Sequence, residues 1–110
     1  MKYLLLIWDD PDLLPDVTPE ALGEATAWVD EMHGRGVRLV GDRLRPQHEA
    51  VQVRVRSRKV VTTDGPFAEA KEQMGGFDLL ECRDLDEAIE VASKHPAART
   101  GLVELRQLWG

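Results

Sequence analysis

The sequence predicts an α+β sandwich of the ferredoxin-like type, in which two helices cover one face of an antiparallel sheet. Its predicted elements run strand, helix, strand and then, after an inserted hairpin, strand, helix, strand. Both helical segments carry start and stop signals. Two βαβ-like halves in this order are typical of that sandwich. A length of 110 residues suits one folding unit, so we expect a single domain over residues 1–110.

The first half begins with an apolar run over Lys2–Trp8, which is typical of a strand buried on both faces. Thr18 is a good N-cap, and Pro19 suits the first helical position. Gly34 and Gly36 predict the end of this helix. Its expected inward stripe contains the apolar residues Leu22, Ala25, Val29 and Met32, with Trp28 beside them.

A second strand is predicted over residues 37–44, followed by a hairpin. Between positions 51 and 56, valines alternate with polar or basic residues, which is the pattern of a half-buried strand. A turn at Ser57-Arg58 allows residues 60–63 to return antiparallel.

The second half begins with a strand over residues 77–82. Asp84 and Glu87 have the spacing of a capping box, and Pro96 ends the helix that follows. The last strand is expected over residues 102–108. The second helix is expected to bury the apolar stripe Leu85, Ala88, Ile89 and Ala92.

Composition restricts the classes of function. A net charge of −6 and a pI near 5.0 disfavour nucleic-acid binding, which needs a clustered basic surface. The local exception, Arg54 to Lys59, is interpreted as a solvated or partner-facing edge. The apolar run at residues 4–8 is too short to cross a membrane. Cys82 is the only cysteine and the amino terminus does not resemble a signal peptide, so we expect a cytoplasmic protein.

The stretch from residue 64 to residue 77 combines a turn, charged side chains and a glycine pair. Gly65-Pro66 predicts a stiff bend after an apolar run, and Phe67 is expected to anchor it. Residues 68–72 favour about one helical turn. Glu69 and Lys71 belong to this charged segment, so the bend predicts a constrained loop that holds carboxylates and an amine.

This segment, Asp64-Gly65-Pro66-Phe67-Ala68-Glu69-Ala70-Lys71-Glu72, resembles the hallmark of the DGPF-type, YCII-related proteins. It departs from the hallmark at Ala70, where the family usually has Thr. The resemblance extends from the first strand to the last. It implies the same ferredoxin-like layout and a homodimer of the dimeric α/β-barrel type, in which two sheets pack face to face.

Asp64 is the leading candidate for an acid or base, because a rigid bend can present its side chain to a cleft. The alternative is that Asp64 only caps the turn. Glu69 is a candidate second carboxylate, and Lys71 a candidate holder of an anionic ligand. Phe67 and Trp8 are candidate walls of the ligand site.

The three histidines, His33, His48 and His95, are interpreted as capping or solvated residues. The wider family is associated with a His-Asp pair proposed as an active site, but no histidine here occupies a position that can be matched. No metal-ligand spacing is present, and we expect neither a metal nor a cofactor.

Two functions are consistent with these residues. The leading hypothesis is a homodimer that binds a small organic molecule, with isomerase-like or lyase-like acid/base chemistry on a small carbonyl compound. The alternative is a non-catalytic regulatory or protein-binding module, because relatives in the family resemble partners of alternative sigma factors.

Overall fold

The computed structural model describes residues 1–9, 18–65 and 73–110. Its elements, in chain order, are β1 (Lys2–Asp9), α1 (Pro19–Gly34), β2 (Arg38–Arg43), β3 (Val51–Arg56), β4 (Lys59–Asp64), β5 (Gln73–Glu81), α2 (Leu85–Ser93), α3 (Ala97–Thr100) and β6 (Leu102–Gln107). A short 3₁₀ turn, Gln47–Glu49, precedes β3. Part of the predicted bend, residues 66–72, lies outside the described residues.

The main sheet has the strand order β2-β5-β1-β6, and every pair in it is antiparallel. Together with one helix after β1 and helices between β5 and β6, this order confirms the predicted ferredoxin-like sandwich. β3 and β4 form a separate two-stranded sheet. No helix in the three described ranges is long and apolar enough to cross a membrane.

Local signals set the ends of α1 where the sequence predicts them. The Thr18 hydroxyl accepts a hydrogen bond from the backbone N–H of Ala21 at 3.1 Å. At the other end, Val37 N–H donates to the Met32 carbonyl at 3.0 Å and Gly36 N–H donates to the His33 carbonyl at 2.9 Å. These two bonds form a Schellman motif, which needs the positive φ of 74° that Gly36 adopts.

The core lies between the helices and one face of the sheet. The side chains that project from this face include Tyr3 and Leu5 of β1 and Leu80 of β5. They pack against Trp28 and Met32 of α1. The Trp28 indole also donates from Nε1 to the Val91 carbonyl at 3.0 Å. This buried bond fastens α1 to α2.

The predicted stripe of α2 is wrong in two of its four positions. Leu85 and Ile89 are about half exposed, while Val91 is fully buried beside Ala88 and Ala92. Both stripes contain the two alanines, so periodicity alone does not separate them. The capping bonds select the observed one: Glu87 N–H donates to Asp84, and the Glu87 carboxylate accepts from Arg83 N–H and is buried.

The predicted hairpin turn is confirmed. The prediction that its strands are half-buried is wrong for the single chain. Ser57 and Arg58 have φ values of 50° and 64°, as a two-residue type I′ turn requires. Every residue of β3 and β4 is exposed, including the alternating valines. The reason is architectural, since the hairpin forms its own sheet beside the main one.

Candidate active site

A cavity of about 230 Å³ lies between α1 and the helix-facing side of the main sheet. Its apolar wall contains Leu22, Ala25 and Val29 of α1, with Ile7 of β1 opposite. The polar side contains Arg38, Asp42, Arg43, Asp78 and His95. A mostly apolar enclosure with a few convergent polar groups is the usual form of a small-molecule site.

Arg38 and Asp78 form the charged centre of this cavity. Arg38 Nε donates to Asp78 Oδ1 at 2.7 Å, across the antiparallel pair β2–β5. Only 4% of the Asp78 surface is exposed. Burial raises the pKa of the Asp78 carboxyl, while the hydrogen bond and the charge of Arg38 act in the opposite direction. Asp78 is thus a carboxylate that is a better proton acceptor than one in water.

Gly41 makes room for this carboxylate. Gly41 on β2 lies directly opposite Asp78 on β5. A Cβ atom at position 41 would overlap Asp78 Oδ1 and lie 2.5 Å from the Phe77 carbonyl oxygen. The absence of a side chain therefore allows the Asp78 side chain to approach the β2 backbone.

His95 closes the end of the cavity that lies near α3. It is 8% exposed, and its ring makes an edge contact with Trp28 at a centroid distance of 4.6 Å. His95 Nδ1 accepts a hydrogen bond from the Ala97 N–H at 3.0 Å, which assigns the ring proton to Nε2. Burial lowers the pKa of His95 to about 4, and the positive charges of Arg38 and Arg99 act in the same direction. The imidazole is therefore neutral at pH 7.

Two further ionisable residues lie at the carboxyl ends of β1 and β2. Asp9 ends β1, and Arg43, a cavity residue, ends β2. Burial raises the pKa of Asp9, and the charge of Arg43 opposes this rise. The register of β1 against β5 shifts between Ile7 and Trp8, next to this pair. Such bulges often redirect side chains beside active sites.

The residues predicted from the sequence lie elsewhere or outside the described ranges. Asp64 is exposed at the end of β4, on the hairpin. Trp8 follows Leu6 by two positions on β1, so it lies on the sheet face opposite the cavity. Phe67, Glu69 and Lys71 lie outside the described residues. A site formed by these five residues stays a prediction.

Sequence reasoning missed Arg38 and Asp78, and it interpreted His95 as capping or solvated. His95 does accept a backbone N–H, as a capping residue would, but it is buried and lines the cavity. One signal was available. Arg38 and Asp78 each stand between two apolar residues of a predicted strand, and charged residues in such positions are seldom buried unless they are paired.

Comparison with known proteins gives a family and a fold. The model of a family described as "YCII-related domain" matches residues 1–110. An uncharacterized protein of Rhizobium meliloti (strain 1021) is 43% identical over 68 residues, which are 60% of this chain. The match spans 55% of that relative, just over half its length.

The fold is shared with a protein of known structure. It is 5-chloro-2-hydroxyhydroquinone dehydrochlorinase from Burkholderia phenoliruptrix AC1100, in complex with 2,5-dihydroxybenzoquinone. It superposes with a TM-score of 0.57 at 17% sequence identity, and the match covers 98% of this chain and 93% of that one. At this identity, the similarity establishes the fold alone.

Proposed function

The chain belongs to the YCII-related domain family, and we propose that it binds a small ring-shaped organic molecule beneath α1 and transfers a proton there. One observation carries the proposal. Arg38, Asp78 and His95 come from three separate parts of the chain and line one cavity with an apolar wall. They supply a cation, a buried carboxylate and a neutral imidazole, which together suffice for acid/base chemistry.

The size of the cavity sets the size of the ligand. A closed apolar cavity of about 150 Å³ holds benzene. The cavity here, at about 230 Å³, suits one six-membered ring with a few substituents. The dehydrochlorinase of the same fold was solved with a compound of that kind. This agreement supports the size class of the ligand.

Each polar group has a role in proton transfer next to a carbonyl. Asp78 accepts a proton from the carbon beside the carbonyl, and the electron pair moves to the oxygen. His95 donates a hydrogen bond from Nε2 to that oxygen, as a neutral imidazole can. Arg38 holds an anionic substituent and fixes the Asp78 carboxylate. Reprotonation at another carbon gives isomerisation, and loss of a neighbouring leaving group gives elimination.

His95 and Asp78 line the same cavity, and we propose them as this chain's own acid/base groups, at positions that are not matched to the His-Asp pair of the wider family. Asp64, Glu69, Phe67, Lys71 and Trp8 remain a second proposed site. The two proposals separate experimentally, because Asp64 does not line the cavity beneath α1.

We also propose that two copies associate through the sheet face that is opposite the helices. Leu4 and Leu79 pair directly there and are only partly buried, and Val40 beside them is 53% exposed. An apolar sheet face of this kind is usually covered by another layer. Cys82, which is a buried free thiol, suits the cytoplasmic location that we propose.

Proton transfer is tested with 4-oxocyclohexanecarboxylate, which combines a ring, a carbonyl and an anionic group. In D₂O, NMR follows the exchange of the protons next to its carbonyl. We expect the protein to accelerate this exchange and Asp78→Asn to slow it by about 10²-fold or more. Asp86→Asn, which removes an exposed carboxylate on α2, is the matched control.

Two results would count against the proposal. Equal exchange with and without protein would remove the proton-transfer step for this class of compound. Equal acceleration by the wild type and Asp78→Asn would remove Asp78 as the base. A parallel calorimetric titration with 2,5-dihydroxybenzoquinone measures binding separately, so that a binding site without chemistry is also recognised.

A further inference from the structure

The β3–β4 hairpin has one apolar face that nothing in its own sheet covers. The register pairs Val53 with Thr62, Val55 with Val60 and, at the open end of the hairpin, Val51 with Asp64, so these side chains share one face. The four valines of this face are between 56% and 69% exposed. The opposite face carries basic side chains, and its members are Gln52, Arg54, Arg56, Lys59, Val61 and Thr63.

A two-stranded hairpin of this kind has little stability by itself. Isolated two-stranded hairpins are marginally stable in water, and a third strand or a packed layer is usually needed. The base of the hairpin is closed by one bond from the Gly65 N–H to the Ala50 carbonyl, at 2.8 Å. The valine face contributes little hydrophobic stabilisation until another apolar surface covers it.

The surface area indicates how much cover is missing. The chain exposes 7899 Å². A compact monomer of 12.4 kDa exposes roughly 6,100 Å². The excess is comparable to the area that one subunit buries in an obligate dimer, where both subunits together bury roughly 2,000–5,000 Å².

We propose that the hairpin is an intermolecular arm whose valine face is buried by a second copy of this chain. This inference rests on the proposed homodimer and goes beyond it, since it assigns the hairpin to the interface as well as the sheet face.

Charge favours a second copy of this chain as the occupant. Residues 51–64 carry four cations, Arg54, Arg56, Arg58 and Lys59, and one anion, Asp64, which gives +3. The whole chain carries −6, so the remainder carries −9. The basic arm of one copy is therefore attracted to the acidic body of the other. A nucleic acid would be attracted by the arm but repelled by the body.

The test measures the dimer dissociation constant by sedimentation velocity for four proteins. They are the wild type, Val53→Asp on the apolar face of the arm, Gln52→Asp on its opposite face, and Val40→Asp on the main sheet. Val53→Asp and Gln52→Asp add the same carboxylate to the same strand. Because the proposal buries Val53 against an apolar surface, we expect Val53→Asp to weaken the dimer by about 100-fold or more. Gln52→Asp should weaken it much less, because Gln52 lies on the opposite face.

The outcomes distinguish the proposal that the hairpin is an intermolecular arm from the proposal that the chain dimerises through its sheet face. A dimer that Val40→Asp dissociates and Val53→Asp leaves unchanged would overturn the arm and keep the sheet-face dimer. A wild type that stays monomeric at millimolar concentration would overturn both. Weakening by Val53→Asp with little effect of Gln52→Asp supports the arm.

A second measurement covers the case in which Val53→Asp fails to fold. Hydrogen exchange of the wild-type amides in β3 and β4 is compared at low and high protein concentration. We expect their protection to rise at least 10-fold with dimerisation. Equal protection in monomer and dimer would overturn the arm.

Discussion

Arg38 and Asp78 are held 2.7 Å apart on neighbouring strands, and the carboxylate of this pair is almost completely buried. Their partnership is stabilising only while both members are present, because each charge has lost most of its contact with water. The same pair forms the charged centre of the cavity, so stability and ligand binding depend on one contact.

Asp78→Asn is expected to lower the free energy of unfolding by about 3 kcal/mol, because it leaves the Arg38 guanidinium buried beside a neutral group. Urea denaturation measures this change. In a double-mutant cycle, Arg38→Met combined with Asp78→Leu should cost less than the sum of the two single changes. Additive costs would show that the two side chains are not coupled.

Gly41→Ala is expected to destabilise the fold and to weaken ligand binding, since its Cβ would overlap Asp78 Oδ1. Gly23→Ala is the matched control. Gly23 is an exposed interior position of α1 with nothing within 4 Å of the added atom, so alanine should raise stability by about 1 kcal/mol. Thermal unfolding of both variants checks the two signs. A Gly41→Ala protein as stable as the wild type would contradict the close approach described above.

Stability should fall as the pH falls from about 6.5 towards 4, partly because of His95. Burial lowers the pKa of His95 to about 4, whereas an unfolded histidine has a pKa near 6.5. The unfolded chain therefore binds the extra proton first. The stability is complete above pH 6.5 and is lost towards pH 4, by roughly 3 kcal/mol. The difference between wild type and His95→Phe in urea denaturation at several pH values isolates this contribution from those of the carboxylates.

The segment after β4 makes a competing prediction about ligand binding. If Asp64 contacts the ligand, Asp64→Asn should reduce the thermal stabilisation that a bound ligand produces. A screen of small carbonyl compounds with wild type, Asp64→Asn and Asp78→Asn assigns the site. A ligand that stabilises wild type and Asp64→Asn equally, but not Asp78→Asn, would place binding in the cavity beneath α1. A ligand that stabilises wild type and Asp78→Asn equally, but not Asp64→Asn, would favour binding by Asp64.

The regulatory alternative makes a different prediction. A sigma-factor-linked partner would need apolar surface that stays exposed once two copies have associated. Hydrogen exchange on the dimer would then leave part of the sheet face or the arm unprotected. Full protection of both surfaces would count against a further protein partner at these positions.

Much of the fold could be predicted because its signals are local. α1 begins after Thr18 and ends before Gly36, α2 begins after Asp84, and the chain reverses at Ser57-Arg58. Each is a choice made by a few neighbouring residues whose backbone preferences are strong. The order of elements then restricts the topology to few alternatives.

The candidate cavity could not be predicted in the same way. Arg38 and Asp78 are 40 positions apart, and they meet only because β2 pairs with β5 in a particular register. The burial of His95 depends on the packing of Trp28 from another helix. Residues 64–72 form the most conspicuous motif of the sequence, but the charged residues between apolar neighbours in β2 and β5 are the more informative signal for this cavity.

The bond from Trp28 to Val91 has a further consequence for selectivity. Because that indole fixes α1 relative to α2, the helix cannot lift off the strands without losing a buried hydrogen bond, at a cost of about 1–3 kcal/mol. The space beneath α1 therefore behaves as a slot of fixed height. Flat or shallow six-membered rings should enter it, while compounds of equal volume with a bulky quaternary carbon should be rejected. Thickness, more than length, should decide which molecules this protein accepts.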